Sequence, residues 1–202
     1  MGGGLIPACI HNNKIYLLLG KENIYVDNGE QYWADFGGSK EGDETPYETA
    51  IREGTEETCG YLGSISKIKK HLREKGYLKY NINRHTSFLF QYEYDDSLPK
   101  YFNNNLKYLE RMLDPSIIKN SVYFEKSEIK WYSFNELAKL KSKARIYFKP
   151  ILDEIIKDKE KIKAYLSQYW YSVSQSKLND QSHPFKLMSS PLSFNNLICN
   201  FH

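Results

Sequence analysis

Three glutamates, Glu53, Glu56 and Glu57, stand close together in the sequence, directly after Arg52. Residues three and four positions apart are neighbours on a helix surface, so a helix here would gather these carboxylates on one face. Crowded carboxylates repel one another unless a cation neutralises them. Hard divalent cations take oxygen ligands of this kind and also bind substrate phosphates. The spacing therefore predicts a Mg²⁺ or Mn²⁺ site.

The residues around these glutamates carry helix signals that agree with one another. Thr45 is a predicted N-cap, Pro46 falls at the first helical position, and Glu48 can complete a capping box. Gly60 is predicted to end the helix, because glycine tolerates the left-handed conformation found there. The alternative is a solvated acidic helix face, the common interpretation of a run of charges. The inward stripe is predicted at Tyr47, Ala50, Ile51 and Gly54.

The segment from Gly38 to Gly60 resembles the Nudix box, a pattern written G-x5-E-x7-R-E-U-x-E-E-x-G-U in which U is apolar. Two positions depart from the pattern. Gly54 stands in place of the apolar residue, and Cys59 stands where the last glycine is expected. Neither departure removes a carboxylate. The residues that match in register are Gly38, Glu44, Arg52, Glu53, Glu56 and Glu57.

The resemblance implies a metal-dependent hydrolase that uses Mg²⁺ or Mn²⁺. The metal ligands it implies are the carboxylates of Glu53, Glu56 and Glu57. The backbone carbonyl of Gly37, in the turn before the helix, would be a further ligand, since glycine allows close backbone approach. Glu53 is also a candidate general base, the alternative implied by the family being a carboxylate on a loop elsewhere in the chain.

The other matched residues have supporting roles by the same resemblance. Arg52 would orient the glutamates through ion pairs rather than contact the substrate. Glu44 and Gly38 would hold the site in shape without binding the metal themselves.

Members of the family often add a carboxylate from further along the chain. Glu125 and Glu128 precede Trp131, and this stretch resembles the family segment in which an acidic residue comes shortly before a tryptophan. Glu128 is the favoured additional metal ligand and Glu125 is the alternative. Glu93 and the pair Asp95-Asp96 are further candidates.

Residues on either side of the box are candidates for binding the rest of the substrate. Lys40 could reach a phosphate as a point charge. Arg84 and His85 open a predicted strand that would face the metal, although a lone histidine is more often structural. Three aromatic residues ahead of the box could stack on a base or pack in the core instead: Tyr25, Tyr32 and Trp33.

The composition favours a cytoplasmic, soluble protein with one domain and extensions. The chain has 202 residues, of which 41% are hydrophobic and 15% aromatic, enough for a substantial core. A net charge of +3 gives no overall nucleic-acid signature. The three cysteines show no zinc-ligand spacing and suggest a reducing compartment. No apolar run predicts a membrane span or a signal peptide.

The pattern along the chain predicts a domain at 1–170 and an extension at 171–202 that is weakly ordered or docked on the domain. A weakly alternating stretch at 62–68 runs into basic residues at 67–79. The fold class implied by the resemblance is α/β, an α/β/α sandwich around a mixed sheet. Predicted strands are Leu5–Ile10, Ile15–Leu19, Trp33–Phe36, Thr86–Tyr94 and Ile129–Tyr132, and later helices are 103–113 (inserted between strands), 133–140 and 150–169.

The leading functional hypothesis is a pyrophosphatase that cleaves a nucleoside diphosphate linked to another moiety. Its narrower form is mRNA decapping, with capped RNA held by the basic stretch, the inserted helix and the lysine-rich last helix. A diphosphoinositol polyphosphate is an alternative substrate, because clustered lysines suit a highly phosphorylated ring. A non-catalytic module that senses a nucleotide is the alternative of a different class. No membrane partner is expected.

Overall fold

The structure is a computed structural model that describes residues 1–24, 31–121 and 124–168. Tyr25, the predicted boundary at 170 and the predicted extension at 171–202 lie outside the described residues. The strands are β1 (Gly2–His11), β2 (Lys14–Glu22), β3 (Trp33–Ala34), β4 (Phe36–Ser39), β5 (Leu78–Ile82), β6 (His85–Gln91) and β7 (Lys126–Ser133).

The helices between these strands vary widely in length. None of those described is both long enough and apolar enough to cross a membrane. They are α1 (Pro46–Glu56), α2 (Ile65–Lys75), α3 (Ser97–Met112), α4 (Pro115–Asn120), α5 (Leu137–Leu140) and α6 (Phe148–Lys157), with a further helical segment at 159–168.

The strands form one mixed sheet in the order β3-β2-β1-β6-β5, with β4 also paired to β1 and β7 to β2. β1 and β6 run parallel, and the other pairs are antiparallel. β1 is long enough to serve two partners along one side. Its residues 2–5 pair with β4, and its residues 8–11 pair with β2. This register places the glycines of β4 against the start of β1, beside the N-terminus of α1.

The predicted hairpin of the first two strands is confirmed. Asn12 and Asn13 form its turn with φ values of 48° and 58°. Two-residue hairpins favour this left-handed conformation at both central positions, and asparagine tolerates it better than most residues. The turn therefore fixes the register in which His11 faces Lys14.

The residues of β2 are apolar almost without interruption because both faces of this strand are buried. Leu17 and Leu19 pack in one core cluster with α5, α6 and the segment 159–168, whereas Leu18 packs in a second cluster with α1, α2, α3 and α4. Successive strand residues face opposite sides of a sheet, so both sides of this sheet are covered by helices. The predicted sandwich of two helical layers around a mixed sheet is confirmed.

The interpretation of the basic stretch at 67–79 was incomplete. It is divided between α2 and β5, and the weak alternation at 62–68 does not form a strand. α2 begins after Ser64, whose hydroxyl accepts a hydrogen bond from the backbone N–H of Lys67. Only Ile68 and Leu72 are buried in this helix. The third apolar residue, Ile65, is exposed, so the inward stripe has only two members among several basic residues, too few for the helix to be predicted.

The predicted inserted helix at 103–113 exists, but α3 begins earlier, at Ser97. Leu98, Phe102 and Leu106 are its buried residues, spaced four apart. The preceding strand ends at Gln91 rather than Tyr94. The last helix begins at 148 and is interrupted at 158 before continuing.

Candidate active site

The capping box predicted for α1 is confirmed. The Thr45 hydroxyl accepts a hydrogen bond from the Glu48 backbone N–H at 3.3 Å, and the Glu48 carboxylate accepts one from the Thr45 backbone N–H at 2.9 Å. Pro46 occupies the first helical position, where its missing N–H leaves no hydrogen bond unmade. The helix therefore starts directly after the turn that follows β4.

α1 ends at Glu56, before the predicted stop at Gly60, although Gly60 does take the left-handed conformation predicted for it, with a φ of 73°. Cys59 adopts a left-handed φ of 50° and donates its N–H to the Glu56 carbonyl at 2.9 Å, while Gly60 donates to the Thr55 carbonyl at 2.8 Å. These two bonds form a Schellman motif, in which the left-handed position is usually glycine. Cys59 thus takes a left-handed conformation at the position where the pattern has glycine, and Glu57 lies at the cap of the helix.

Glycines allow α1 to lie directly on β1. A Cβ atom on Gly54 would come within 2.5 Å of Leu5 Cδ1, and one on Gly3 would come within 1.9 Å of the Pro46 carbonyl oxygen. The Leu5 side chain therefore fills the space that an apolar residue at position 54 would occupy. The departure from the pattern at Gly54 is matched by packing from the facing strand.

Arg52 lies at the centre of a network of carboxylates. Its Nε donates to Glu44 Oε1 at 2.9 Å and its Nη1 to Glu56 Oε2 at 3.0 Å. Its Nη2 lies 3.1 Å from Glu53 Oε1 and donates to the Ser39 carbonyl at 3.0 Å. Arg52 is therefore placed to orient Glu53 and Glu56, while Glu44 orients Arg52.

A pH-dependent loss of stability is expected when Glu44 is replaced. The hydrogen bond from Arg52, assisted by the Glu41 backbone N–H, lowers the pKa of Glu44 to about 2. A carboxyl with a depressed pKa stabilises the fold above its unfolded pKa and loses that effect as the pH falls towards the folded value. We expect Glu44→Gln to lower the free energy of unfolding by about 2 kcal/mol at neutral pH. The difference from wild type should shrink between about pH 4.5 and pH 2.

Urea unfolding followed by circular dichroism at several pH values measures this difference. Glu74→Gln is the control, because Glu74 is exposed and its ion pair with Lys70 is long, with 3.9 Å between the nitrogen and the oxygen. A difference for Glu44→Gln that stayed constant across the acidic range would show that the ion pair with Arg52 does not carry the effect.

Three carboxylates, those of Glu53, Glu57 and Glu125, form a cluster whose potential ligand atoms all lie within 4.8 Å of one another. We call these three residues the glutamate cluster. Glu53 is 8% exposed and Glu57 is 2% exposed. Oε2 of Glu57 is buried and accepts no hydrogen bond from any described residue. A buried carboxylate oxygen without a partner is costly, so the cluster has the chemistry of a cation site.

The pKa shifts within the glutamate cluster have one main cause. Burial raises the pKa of Glu53 to about 7, with a smaller contribution from Glu125 and partial opposition from Arg52. Burial also raises the pKa of Glu57, partly offset by Lys126, and that of Glu125. Burial thus favours the neutral form of each carboxyl. A divalent cation bound in the cluster would favour the ionised form and lower these pKa values.

The cluster differs from the ligand set that the sequence predicted. Glu56 is not one of the three, and its carboxylate is hydrogen-bonded to Arg52. Glu128, the favoured additional ligand, lies on β7 with its carboxylate 3.8 Å from Lys21 Nζ. Glu125, the alternative, stands in the cluster instead.

A bulge explains why Glu125 and Glu128 were hard to tell apart. Glu22 faces Lys126 in the β2–β7 pairing, and the next pair is Lys21 with Glu128, so residue 127 is extra. A bulge changes the direction of the side chains on either side of it. The other candidates lie outside the cluster: Glu93 is exposed, and the Asp95 and Asp96 carboxylates bind Ser97 and Lys100 at the start of α3.

Lys126 is fully buried and contacts two carboxylates, a feature that the sequence did not reveal. Its Nζ lies 2.6 Å from Glu22 Oε1 and 3.0 Å from Glu57 Oε1. Arg145 adds a second cation, 3.4 Å from the same oxygen of Glu22. Burial alone would lower the pKa of Lys126, but the two carboxylates outweigh it and hold that pKa above its usual value. We call Glu22, Glu57 and Lys126 the buried ion group.

Gly38 connects the glutamate cluster to a neighbouring pocket. A Cβ atom on Gly38 would come within 2.3 Å of Glu53 Oε1, so only glycine leaves room for that carboxylate. Gly37, the predicted carbonyl ligand, pairs with Gly4 of β1. A pocket of about 300 Å³ opens on both glycines. Its lining includes Arg84, His85, Arg145 and Tyr147.

Asp35 fixes the position of His85 in this pocket. It is fully buried and separates β3 from β4, so the single strand predicted at 33–36 is two strands. Its Oδ2 accepts hydrogen bonds from His85 Nε2 at 3.0 Å and from the Ser87 hydroxyl, and its Oδ1 accepts one from the Tyr147 hydroxyl at 2.7 Å. Burial raises the pKa of Asp35, but His85 and these donors hold it below its usual value.

The remaining predicted substrate residues fall in different places. Arg84 and His85 line the pocket. Trp33 is 6% exposed and packs on Tyr132 in the core, with ring centroids 4.9 Å apart, so it does not stack on a substrate. Tyr32 is half-buried, Lys40 is exposed, and neither belongs to the pocket lining.

No protein-family model matches this chain, and no curated protein sequence matches it. Among solved structures, the Nudix hydrolase RenU from M. smegmatis is 14% identical over 80% of this chain and 86% of its own, with a TM-score of 0.44. A binary complex of Ap4A hydrolase from C. elegans is 16% identical over 83% of this chain and 97% of its own, with a TM-score of 0.44. The NUDIX domain of Shewanella oneidensis NrtR, in complex with ADP ribose, is 12% identical over 79% of this chain and 85% of its own, with a TM-score of 0.41.

Proposed function

We propose that this chain is a metal-dependent hydrolase that cleaves the diphosphate bond of a nucleoside diphosphate linked to another group. The observation that carries the proposal is the buried, unpartnered Oε2 of Glu57, which lies in a cluster with Glu53 and Glu125. Carboxylate oxygens in this arrangement suit Mg²⁺ or Mn²⁺. The resemblance of residues 38–60 to the Nudix box supports the same chemistry.

The residues of the chain have distinct roles in this proposal. The glutamate cluster would hold the ion, which when bound supplies an activated water and neutralises charge on phosphate oxygens. Arg52 keeps Glu53 in place through their 3.1 Å contact. Glu53 is the proposed proton acceptor, because its carboxylate lies against Gly38 at the wall of the pocket.

The pocket beside Gly38 is the proposed site for the rest of the substrate. Arg84 and Arg145 bring positive charge to it, as a diphosphate requires. His85 and Tyr147 add two aromatic rings with centroids 4.5 Å apart. Asp35 holds both rings by hydrogen bonds, so the pocket is organised before substrate binds.

A substrate panel tests the proposed function. The full chain would be incubated with Mg²⁺ or Mn²⁺ and with ADP-ribose, a dinucleoside polyphosphate, capped RNA and a diphosphoinositol polyphosphate. We expect the wild type to hydrolyse at least one and a Glu53→Gln, Glu57→Gln double variant to hydrolyse none. Absence of turnover by the wild type on every compound, or unchanged turnover by the double variant, would contradict the proposal.

Arg84 gives a prediction that separates binding from chemistry. Its side chain is exposed and lines the pocket but is not part of the glutamate cluster. We expect Arg84→Gln to raise KM about tenfold with kcat unchanged, the effect of losing one charge-assisted hydrogen bond to a phosphate.

Steady-state kinetics on the best compound of the panel measures this change. Lys14→Gln is the control, because Lys14 is exposed at the turn between β1 and β2 and does not line the pocket. Equal KM values for Arg84→Gln and Lys14→Gln would remove Arg84 from the substrate site.

Capped RNA is the narrower substrate that we propose. The basic residues of α2 that face solvent, Lys67, Lys69, Lys70 and Arg73, support it because they offer positive charge to a phosphate backbone. Release of m7GDP from capped RNA, together with RNA binding that weakens steeply with salt, is the expected result. Lack of RNA binding at low salt would exclude this substrate.

A nucleotide-sensing module without catalysis is the second candidate. Lys126 favours it, because the ammonium already neutralises part of the charge of Glu57. Calorimetry distinguishes the two functions. Tight binding of a nucleotide with no product in the presence of Mg²⁺ supports the sensor, and turnover supports the hydrolase.

A further inference from the structure

Lys126 lies beside the proposed metal site, and the role proposed for it depends on that site. In the buried ion group, the Lys126 ammonium lies between Glu22 and Glu57. The side chain is 0% exposed, so the ammonium is out of contact with bulk solvent. Removing an ammonium from water costs several kcal/mol, so the two carboxylates and their geometry must stabilise it.

The chain makes room for this lysine. A Cβ atom on Gly20 would lie 2.9 Å from Lys126 Cδ and 3.0 Å from Phe36 Cε1. The aliphatic stem of Lys126 therefore passes over a glycine in β2, beside an aromatic residue of the core. Lys126 pairs with Glu22 next to the bulge, and its ammonium lies beside Glu57 at the end of α1. The position of the ammonium is thus set by the backbone of two strands.

The two oxygens of Glu57 have different surroundings. Oε1 lies 3.0 Å from the Lys126 ammonium, whereas Oε2 is buried and accepts no hydrogen bond from the described residues. Glu53 and Glu125 complete the cluster. One oxygen of Glu57 is therefore satisfied by a cation of the protein, and the other remains available to a cation from solution.

We propose that the Lys126 ammonium takes the position beside Glu57 Oε1 that a second metal ion would otherwise occupy. The glutamate cluster then binds a single divalent ion in the absence of substrate. A second divalent ion on Glu57 Oε1 would have to lie against a buried ammonium, and repulsion at such short range is strong in a poorly hydrated site. Lys126 also balances charge when no metal is bound. It is a positioning residue, since it acts through Glu57.

Mn²⁺ binding to the full chain tests this proposal without relying on activity. Metal-free protein is titrated with Mn²⁺ in the absence of nucleotide, and free Mn²⁺ is counted by electron paramagnetic resonance alongside calorimetry. We expect one tightly bound ion per chain in the wild type. We expect two in Lys126→Met, because both oxygens of Glu57 are then available.

Thermal unfolding gives a second readout. Lys126→Met should unfold at a lower temperature than wild type in the presence of a chelator, and Mn²⁺ should raise its Tm more than it raises that of the wild type. Lys130→Met is the matched control, because Lys130 lies on the same strand with its side chain 48% exposed. The control should bind one ion and respond to Mn²⁺ as the wild type does.

The outcomes separate this inference from the proposed function. Two ions bound by the wild type, or one ion bound by folded Lys126→Met, would overturn the role of Lys126 and leave the hydrolase proposal intact. No ion bound by the wild type would overturn the metal site itself. If Lys126→Met does not fold, the count for the wild type decides the matter alone.

Discussion

Glu57→Gln and Glu125→Gln are each expected to reduce turnover by at least about 10²-fold and to weaken Mn²⁺ binding strongly. Each substitution removes one charged ligand from a cluster whose atoms lie within 4.8 Å of one another. The neutral amide keeps the size of the side chain, so the loss reports the charge rather than a cavity. Steady-state kinetics and Mn²⁺ calorimetry on the same preparations measure both effects.

Glu128→Gln is the matched control for Glu125→Gln. The two glutamates are close in sequence, and the structure places only Glu125 in the glutamate cluster, while the Glu128 side chain is 40% exposed beside Lys21. We expect Glu128→Gln to behave like the wild type. If it lost metal while Glu125→Gln kept it, the assignment from the structure would be wrong and the favoured sequence prediction right.

Arg52→Lys is expected to lower kcat by about 10²-fold although the positive charge is kept. The guanidinium contacts Glu44, Glu53 and Glu56 at once. A lysine ammonium is a single point and cannot span these partners with the same geometry. Glu53 would lose its orientation, so the variant should also bind Mn²⁺ more weakly.

Arg111→Lys is the control for this substitution, because Arg111 is exposed in the last turn of α3. Circular dichroism and Tm would be compared for both variants to separate misfolding from loss of orientation. A kcat for Arg52→Lys equal to that of the wild type would show that the network around Arg52 is not needed for the reaction.

The parts of the site that the sequence predicted are local. The cap of α1, its start at Pro46 and the ion pair of Arg52 with Glu56 depend on residues within one helix and its preceding turn. Helix geometry fixes such relations at spacings of three and four. The sandwich fold was predicted through the resemblance, and the alternation of buried leucines in β2 agrees with it.

The parts that the sequence did not predict depend on contacts between distant elements. Lys126 meets Glu22, 104 positions away, and Asp35 meets His85, 50 positions away. Isolated charged residues at the ends of strands resemble ordinary surface residues until the sheet is assembled. The choice of Glu125 over Glu128 depends on a single bulge, which no local pattern signals.

Anomalous scattering from crystals of the full chain soaked in Mn²⁺ tests the central claim most directly. We expect an anomalous difference peak within coordination distance of the carboxylates of Glu53, Glu57 and Glu125. The peak should lie on the Oε2 side of Glu57, away from Lys126. No peak at these carboxylates, or a peak among other residues with this cluster empty, would contradict the account.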